Sequence, residues 1–355
     1  MKNHEVIPEP PSVRMKRIST VDALRGIASF AVCSGHLYGA NPFLPQGTSE
    51  KWIGSLGALG VDVFFVISGF IIPYALHKSG YQLKQYGTFI LKRVLRLDPP
   101  YLANILFIIP LGYLCAMAPG FQGPPFKVST TQVLLHLAYL NVFFGESWLN
   151  PVFWTLAIEF QYYLLVGLAY PFISHRSLTM RLVLFMCLGS LSFIVPKESF
   201  ILHWLFLFML GMLAFQQNVG LIAGMRFWVV LILLACGACY ALGPLVAAVG
   251  LAAACAIVFV KTSNKVLSFL GTISYSLYLF HMPIGCKLVS LGSRLAHSVS
   301  AKVVVFGIGL ALCVAAAYLL YRLVEKPAQA WSSRIKYRKQ GTIDHQPGLQ
   351  KDCVV

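Results

Sequence analysis

Charge is what this chain has least of. Asp and Glu together number 12 in 355 residues, all charged residues make up 11%, and 57% of the chain is hydrophobic, with a mean hydropathy of +0.72. A soluble domain carries about 25% charged residues, so no water-facing surface can be built from this composition. Acid is scarce even relative to base: 28 Lys and Arg leave a net charge of +16. Nucleic acid is excluded as the reason, because the basic residues sit in short loops between apolar runs, as the positive-inside bias requires. A disulfide framework is also missing. Of nine cysteines, Cys33, Cys115, Cys187, Cys255 and Cys313 lie inside apolar runs and read as small core residues. Cys236 and Cys239 form a C-x-x-C on an apolar stretch with no His or second pair nearby, so no metal site is expected. No solenoid repeat is visible.

Long apolar runs, by contrast, fill the chain. Stretches of bilayer-spanning length lie near 21–41, 55–76, 98–118, 151–173, 180–196, 199–217, 226–242, 244–260, 266–290 and 303–325. The sequence therefore predicts an all-α, polytopic integral membrane bundle of about ten transmembrane helices. A further stretch, 130–145, is shorter and carries His136 and Asn141. Charge decides its status. If it does not cross and the N-terminus is cytoplasmic, 21 of the 28 Lys and Arg face the cytoplasm and 6 face outward, with Arg25 inside the first span. If it crosses, the split becomes 13 and 14. Only the first arrangement is positive-inside. Both termini are then expected in the cytoplasm, with 130–145 on, or partly inside, the outer face. Residues 1–17 carry no cleavable signal pattern and are expected to form a disordered cytoplasmic tail. Residues 18–327 form the membrane domain, and 328–355 a basic cytoplasmic tail suited to anionic lipid.

In the first span, Ser19 and Asp22 fit a capping box at the helix start. Arg25 and His36 are eleven residues apart, close to three full turns, so both project from one face, roughly 16 Å apart along the axis. An arginine at that depth costs at least ~2.5 kcal/mol unless it faces a cavity or a partner. The pair reads as two ends of one polar channel. Histidine suits a general base near neutral pH; a permanent guanidinium suits a phosphate or a developing oxyanion.

Other polar positions extend the seam. Asp62 lies in the glycine-rich second span and is expected to pair with Arg25 or His36. Lys92, Arg93 and Arg96 lie at helical spacing on the cytoplasmic side, where paired arginines suit a polyphosphate. Pro99 and Pro100 are expected to break that helix and start the third span. Glu159, a carboxylate in the fourth span, is a candidate partner of His36. Ser274, Tyr278 and His281 form a polar stripe on the ninth span and either line a cavity or bond between helices. Glu325 is read as a boundary residue, with Pro327 ending the last helix.

Six blocks, in order, carry a resemblance to a known family: D-A-L-R-G-x10-H around Arg25 and His36, G-V-D-V-F-F-V-I-S-G-F, K-R-V-L-R-L-D-P-P-Y, W-T-L-A-I-E-F, G-T-I-S-Y-S-L-Y-L-F-H and V-E-K-P. Over roughly 18–330 the chain resembles acyltransferase family 3, the membrane O-acyltransferases. The resemblance implies about ten spans, a cytoplasmic acyl-CoA donor (usually acetyl-CoA, a substrate rather than a tightly bound cofactor), and transfer to a hydroxyl of a sugar, polysaccharide or glycolipid. It implies a place in the cytoplasmic membrane if the source is bacterial. Arg25 and His36 match the family's Arg-x10-His motif, and Arg93 and Arg96 its R-x-x-R motif. Some members carry a further soluble domain after the last span; this chain is read as lacking one.

The expected path runs from CoA phosphates on Arg93 and Arg96, past Arg25, to His36 oriented by Glu159 or Asp62. His36 deprotonates the acceptor hydroxyl or takes the acyl group itself. Two other function classes share these features. Buried Arg, Asp, Glu and His also build proton-coupled secondary transporters, and the same fold can serve as a non-catalytic scaffold or receptor.

Overall fold

The computed structural model describes residues 19–40, 42–43, 48–117, 125–195 and 197–337, with the backbone alone for 48–55. The expected N-terminal tail and residues 338–355 lie outside that range. The described residues form helices and no strand: α1 (Ser19–Ala40), α2 (Thr48–Lys78), α3 (Tyr86–Ala116), α4 (Thr130–Leu137), α5 (Phe153–Ile173), α6 (Leu178–Ile194), α7 (Ile201–Asn218), α8 (Met225–Leu242), α9 (Pro244–Phe259), α10 (Lys265–Phe280), α11 (Lys287–Gly292), α12 (Val299–Leu320) and α13 (Lys326–Arg334). Two π turns, His281–Cys286 and Tyr321–Glu325, join α10 to α11 and α12 to α13. Among the described residues, six stretches are long and apolar enough to cross a membrane: Leu56–Lys78, Leu83–Ala116, Phe153–Ile173, Ile201–Asn218, Met225–Leu242 and Val299–Arg334. Leu178–Ile194 and Pro244–Phe259 are apolar but shorter.

Local chemistry sets several boundaries. The Asn264 side chain accepts from Val266 N and Leu267 N and so starts α10. Ser298 accepts from Ala301 N at the start of α12 (3.1 Å). Pro244 opens α9, where its missing N–H is not needed. Two expected breaks do not occur. α3 runs straight through Pro99 and Pro100; within that stretch the Tyr275 hydroxyl donates to the Leu97 carbonyl (2.9 Å). The carbonyls that the two prolines leave without a helical N–H are those of Leu95 and Arg96, four residues back, and the helix continues past them all the same. Pro327 likewise lies within one continuous helical run, just after the π turn Tyr321–Glu325, and the chain stays helical to Arg334.

Helix contacts sort the ends of the bundle into two faces. On one, Thr20 bonds to the Val260 carbonyl, Gln216 to Ile173, Arg181 to Leu221, and Tyr81 packs against Tyr170 and Tyr337. On the other, Lys302 bonds to the Pro42 carbonyl, and Tyr113 meets Phe126 and Phe143 meets Phe200 edge to face. The 130–150 segment dips in from this second face and returns. Gln132 Nε2 donates to the Ser147 carbonyl (2.9 Å), so its two ends lie side by side. Its tip reaches the depth of Asp98 and Tyr101, which bond to the Tyr139 hydroxyl and the His136 carbonyl.

Glycine sets two of the closest helix approaches. A Cβ on Gly271 of α10 would stand 2.0 Å from the Asp22 carbonyl oxygen of α1, and one on Gly26 would stand 2.6 Å from that of Leu267. The same fit joins α2 to α7, where a Cβ on Gly69 or Gly211 would collide with backbone. α7 is buried on every side, from Leu205 through Gln216, and forms the centre of the largest apolar cluster. The consequence for function is that α1 is clamped along α10.

Candidate active site

That clamp turns the polar face of α1 toward α10. Near its first turns, Arg25 Nε donates to Ser274 Oγ of α10 (3.2 Å), and Ser274 Oγ donates to the Gly271 carbonyl (2.9 Å). Three turns further on, His36 Nδ1 lies 3.1 Å from His281 Nε2 and 3.1 Å from the Val32 carbonyl. His281 Nδ1 lies 3.1 Å from the Leu277 carbonyl. The expected common face of Arg25 and His36 is therefore present, and one partner helix reads both ends of it.

At the Arg25 end lies a cavity of about 130 Å³ whose charged lining is Arg25, Arg93, Arg96, Glu159 and Glu325. The Arg93 guanidinium stacks over Phe89 and Tyr163, 5.3 and 5.8 Å from the ring centroids. Its Nε is buried with no hydrogen-bond partner. Glu159 accepts from Ser68 Oγ (3.1 Å) and Tyr163 Oη (2.5 Å). Glu325, 2% exposed, accepts from Ser276 Oγ (2.7 Å), Ser276 N (3.2 Å) and Gln329 Nε2 (3.0 Å). Three guanidiniums against two carboxylates leave one positive charge in excess, and Arg93 Nε is an unspent donor. A buried donor left unmade costs about 1–3 kcal/mol, so this lining fits an anion. At the other end, beyond His36, a wider cavity of about 900 Å³ opens among Ala40, Asn150, Met282 and Pro283, with Lys287 and Arg294 as its cations.

Several expected partnerships fall elsewhere. Asp62 is buried on α2 and bonds to neither Arg25 nor His36, whose hydrogen bonds go to α10 and, for His36, also to its own helix. Glu159 serves the arginine cavity rather than His36, because Ser68 and Tyr163 hold its carboxylate there. Lys92 points away from the cavity: its ammonium donates to the Ser332 carbonyl (3.0 Å) and the Ile335 carbonyl. The stripe on α10 divides its labour. Ser274 holds Arg25, the Tyr278 hydroxyl meets Thr155 Oγ1 (2.6 Å), and His281 holds His36. Glu325 was read as a boundary residue and is instead a wall of the cavity. Its signal was a carboxylate beside an apolar run, which is costly unless paired. Ser68 gave no signal, since a serine in an apolar helix is commonplace. Among the described residues no group of three or more His, Cys, Asp or Glu could hold a metal ion.

The model of one protein family, described as an acyltransferase domain, matches residues 18–322 and so contains every residue of the two clusters except Glu325 and Gln329. This chain belongs to that acyltransferase family. Curated relatives agree over shorter stretches. An O-acetyltransferase OatA of Staphylococcus aureus is 30% identical over 160 residues, 43% of this chain and 25% of the relative. The acyltransferase MdmB of Streptomyces mycarofaciens is 28% identical over 165 residues, 45% of this chain and 41% of MdmB. A peptidoglycan O-acetyltransferase OatA of Listeria monocytogenes is 29% identical over 162 residues, 42% and 24% of the two chains. The chain thus spans between a quarter and two-fifths of these relatives. No solved structure matches it.

Proposed function

We propose that this acyltransferase is a membrane O-acyltransferase, most simply an O-acetyltransferase. It moves an acyl group from cytoplasmic acyl-CoA to a hydroxyl of a sugar, polysaccharide or glycolipid. The observation that carries this reading is the convergence of Arg25, Arg93 and Arg96 on one cavity with Arg93 Nε unpaired, joined along α1 to a histidine with one free nitrogen. Ten of the helices cross the bilayer in this reading, both termini face the cytoplasm, and the arginine cavity opens inward. In a bacterium the chain lies in the cytoplasmic membrane. The relatives named for O-acetylation, one of them acting on peptidoglycan, favour a polysaccharide acceptor.

The cavity's 130 Å³ is smaller than the ~300–1,000 Å³ of a site that encloses a drug-sized ligand. It holds the anionic and thioester parts of the donor while the nucleotide stays at the mouth. Arg93 and Arg96 bind phosphate through charge-assisted bonds, and Arg25 faces the arm that leads toward His36. His36 Nε2 then removes the proton of the acceptor hydroxyl, whose oxygen attacks the thioester carbonyl. The C–S bond breaks, and the proton passes from His36 to the departing thiolate. Acyl transfer through His36 itself uses the same nitrogen.

The test is release of free CoA thiol from acetyl-CoA by the purified chain in proteoliposomes. Acetyl-CoA consumption is expected, with His36→Gln at background. Undiminished thiol release by His36→Gln contradicts the reading. Sugar or anion uptake driven by a proton gradient, with acetyl-CoA untouched, replaces it with a transporter.

A further inference from the structure

We infer that His281 is a positioning residue: it fixes the tautomer of His36 through an imidazole–imidazole hydrogen bond and so keeps the lone pair of His36 Nε2 free for the acceptor hydroxyl. This rests on the reading of His36 as the base.

The assignment follows from which atoms can donate. A carbonyl oxygen only accepts, so the contact between His281 Nδ1 and the Leu277 carbonyl (3.1 Å) requires a proton on His281 Nδ1. In a neutral ring the Nε2 of His281 then carries a lone pair. That nitrogen faces His36 Nδ1 at 3.1 Å, and His36 Nδ1 also faces the Val32 carbonyl at 3.1 Å. Both acceptors demand the proton on His36 Nδ1. The one arrangement of two neutral rings that satisfies all three contacts leaves His36 Nε2 unprotonated. Among the described residues that nitrogen takes no hydrogen bond, and the His36 side chain is exposed, whereas His281 is fully buried.

The backbone serves the same end. α10 gives way at His281 to a π turn, a device found often at functional sites. Here the turn seats a histidine against α1 with its own Nδ1 tied one turn back. When His36 takes the hydroxyl proton, positive charge appears on its ring, and the Nδ1–H bond to His281 becomes charge-assisted. His281 neither gains nor loses a proton. A neutral imidazole thus does for His36 what a carboxylate does for the histidine of a hydrolase triad.

The experiment uses the full chain in proteoliposomes, with acetyl-CoA as donor and water as acceptor, and follows thiol release. His281→Leu is expected to lower kcat roughly 10²-fold, the usual share of a base catalyst, with KM for acetyl-CoA within about twofold of wild type. His281→Gln, whose Oε1 can accept from His36 Nδ1–H, is expected to recover about tenfold of that loss. A structural role alone gives equal losses in both variants, or a loss carried by KM, and overturns the proposal. So do unchanged rates in both variants beside an inactive His36→Gln, a result that leaves the base reading standing. If His36→Gln is fully active, the base reading fails instead. Should His281→Leu not fold, 15N NMR of histidine-labelled wild type decides: an Nδ1–H tautomer at His36 is expected, and an Nε2–H tautomer refutes the assignment.

Discussion

Arg93 stacks on two aromatic rings and has a buried Nε with no partner, and in the proposed reaction that donor is the one the CoA phosphate takes up. A bond from a charged donor contributes about 1.5–3 kcal/mol. Arg93→Gln is therefore expected to raise KM for acetyl-CoA roughly 10–100-fold with little change in kcat, read from thiol-release kinetics. Arg93→Lys is expected to recover only part of this, since a point charge cannot reproduce the planar fork. Glu325 makes the opposite case. Its carboxylate satisfies Ser276 and Gln329, and Glu325→Ala leaves the buried Ser276 and the half-buried Gln329 without that partner. The expected cost is about 1–3 kcal/mol, seen as earlier thermal unfolding in detergent, together with loss of thiol release. Equal melting temperatures in the two proteins would count against a structural share for Glu325. At this scale the sequence disclosed shared helix faces better than pairings. The Arg-x10-His spacing placed Arg25 and His36 on one face, because helix geometry alone decides that. It could not say that His281, rather than Glu159 or Asp62, would meet His36, because partner choice depends on how α10 is rotated. Nor could it say that Lys92 would be absorbed by the carbonyls of Ser332 and Ile335.

The elements depend on contacts without side chains. Gly26 and Gly271 bring α1 and α10 together closely enough for Arg25 to reach Ser274 and His36 to reach His281. Gly271→Val is expected to force the helices apart and to weaken both bonds at once. Overpacking of this kind costs typically about 1–3 kcal/mol, and kcat should fall further than KM rises. Gly307→Val on α12, where a Cβ meets nothing within 4 Å, serves as the control and is expected to leave both unchanged. Thermal unfolding and thiol release measure the two parts separately. The positions of the helices were legible in the apolar runs, since burial in lipid demands them. The continuity of α3 through Pro99 and Pro100 was not, because in sequence a proline reads as a break and only the packed helix shows that the chain carries on. The last ten described residues show the same limit. The basic segment from Ala328 was read as a cytoplasmic tail suited to anionic lipid, and its described part, α13, packs on the start of α3 with Ala328 and Ser332 buried.

For the whole molecule, the proposal requires sidedness. In that proposal the arginine cavity opens to the cytoplasm, the 900 Å³ cavity opens outward, and the hydrogen-bonded face of α1 connects them. The contacts divide the helix ends into two faces, and the 130–150 segment returns to the face it entered from. Reporter fusions are expected to place residues 175–181 in the cytoplasm and residues 141–147 outside; the reverse contradicts the ten-span arrangement. The central claim, that a donor held on one side is spent through His36, is tested most directly by supplying labelled acetyl-CoA to sealed vesicles of defined orientation. The expected result is thiol release only when acetyl-CoA meets the cytoplasmic face, falling to background in His36→Gln. Release from either face, or at the same rate in His36→Gln, contradicts the account.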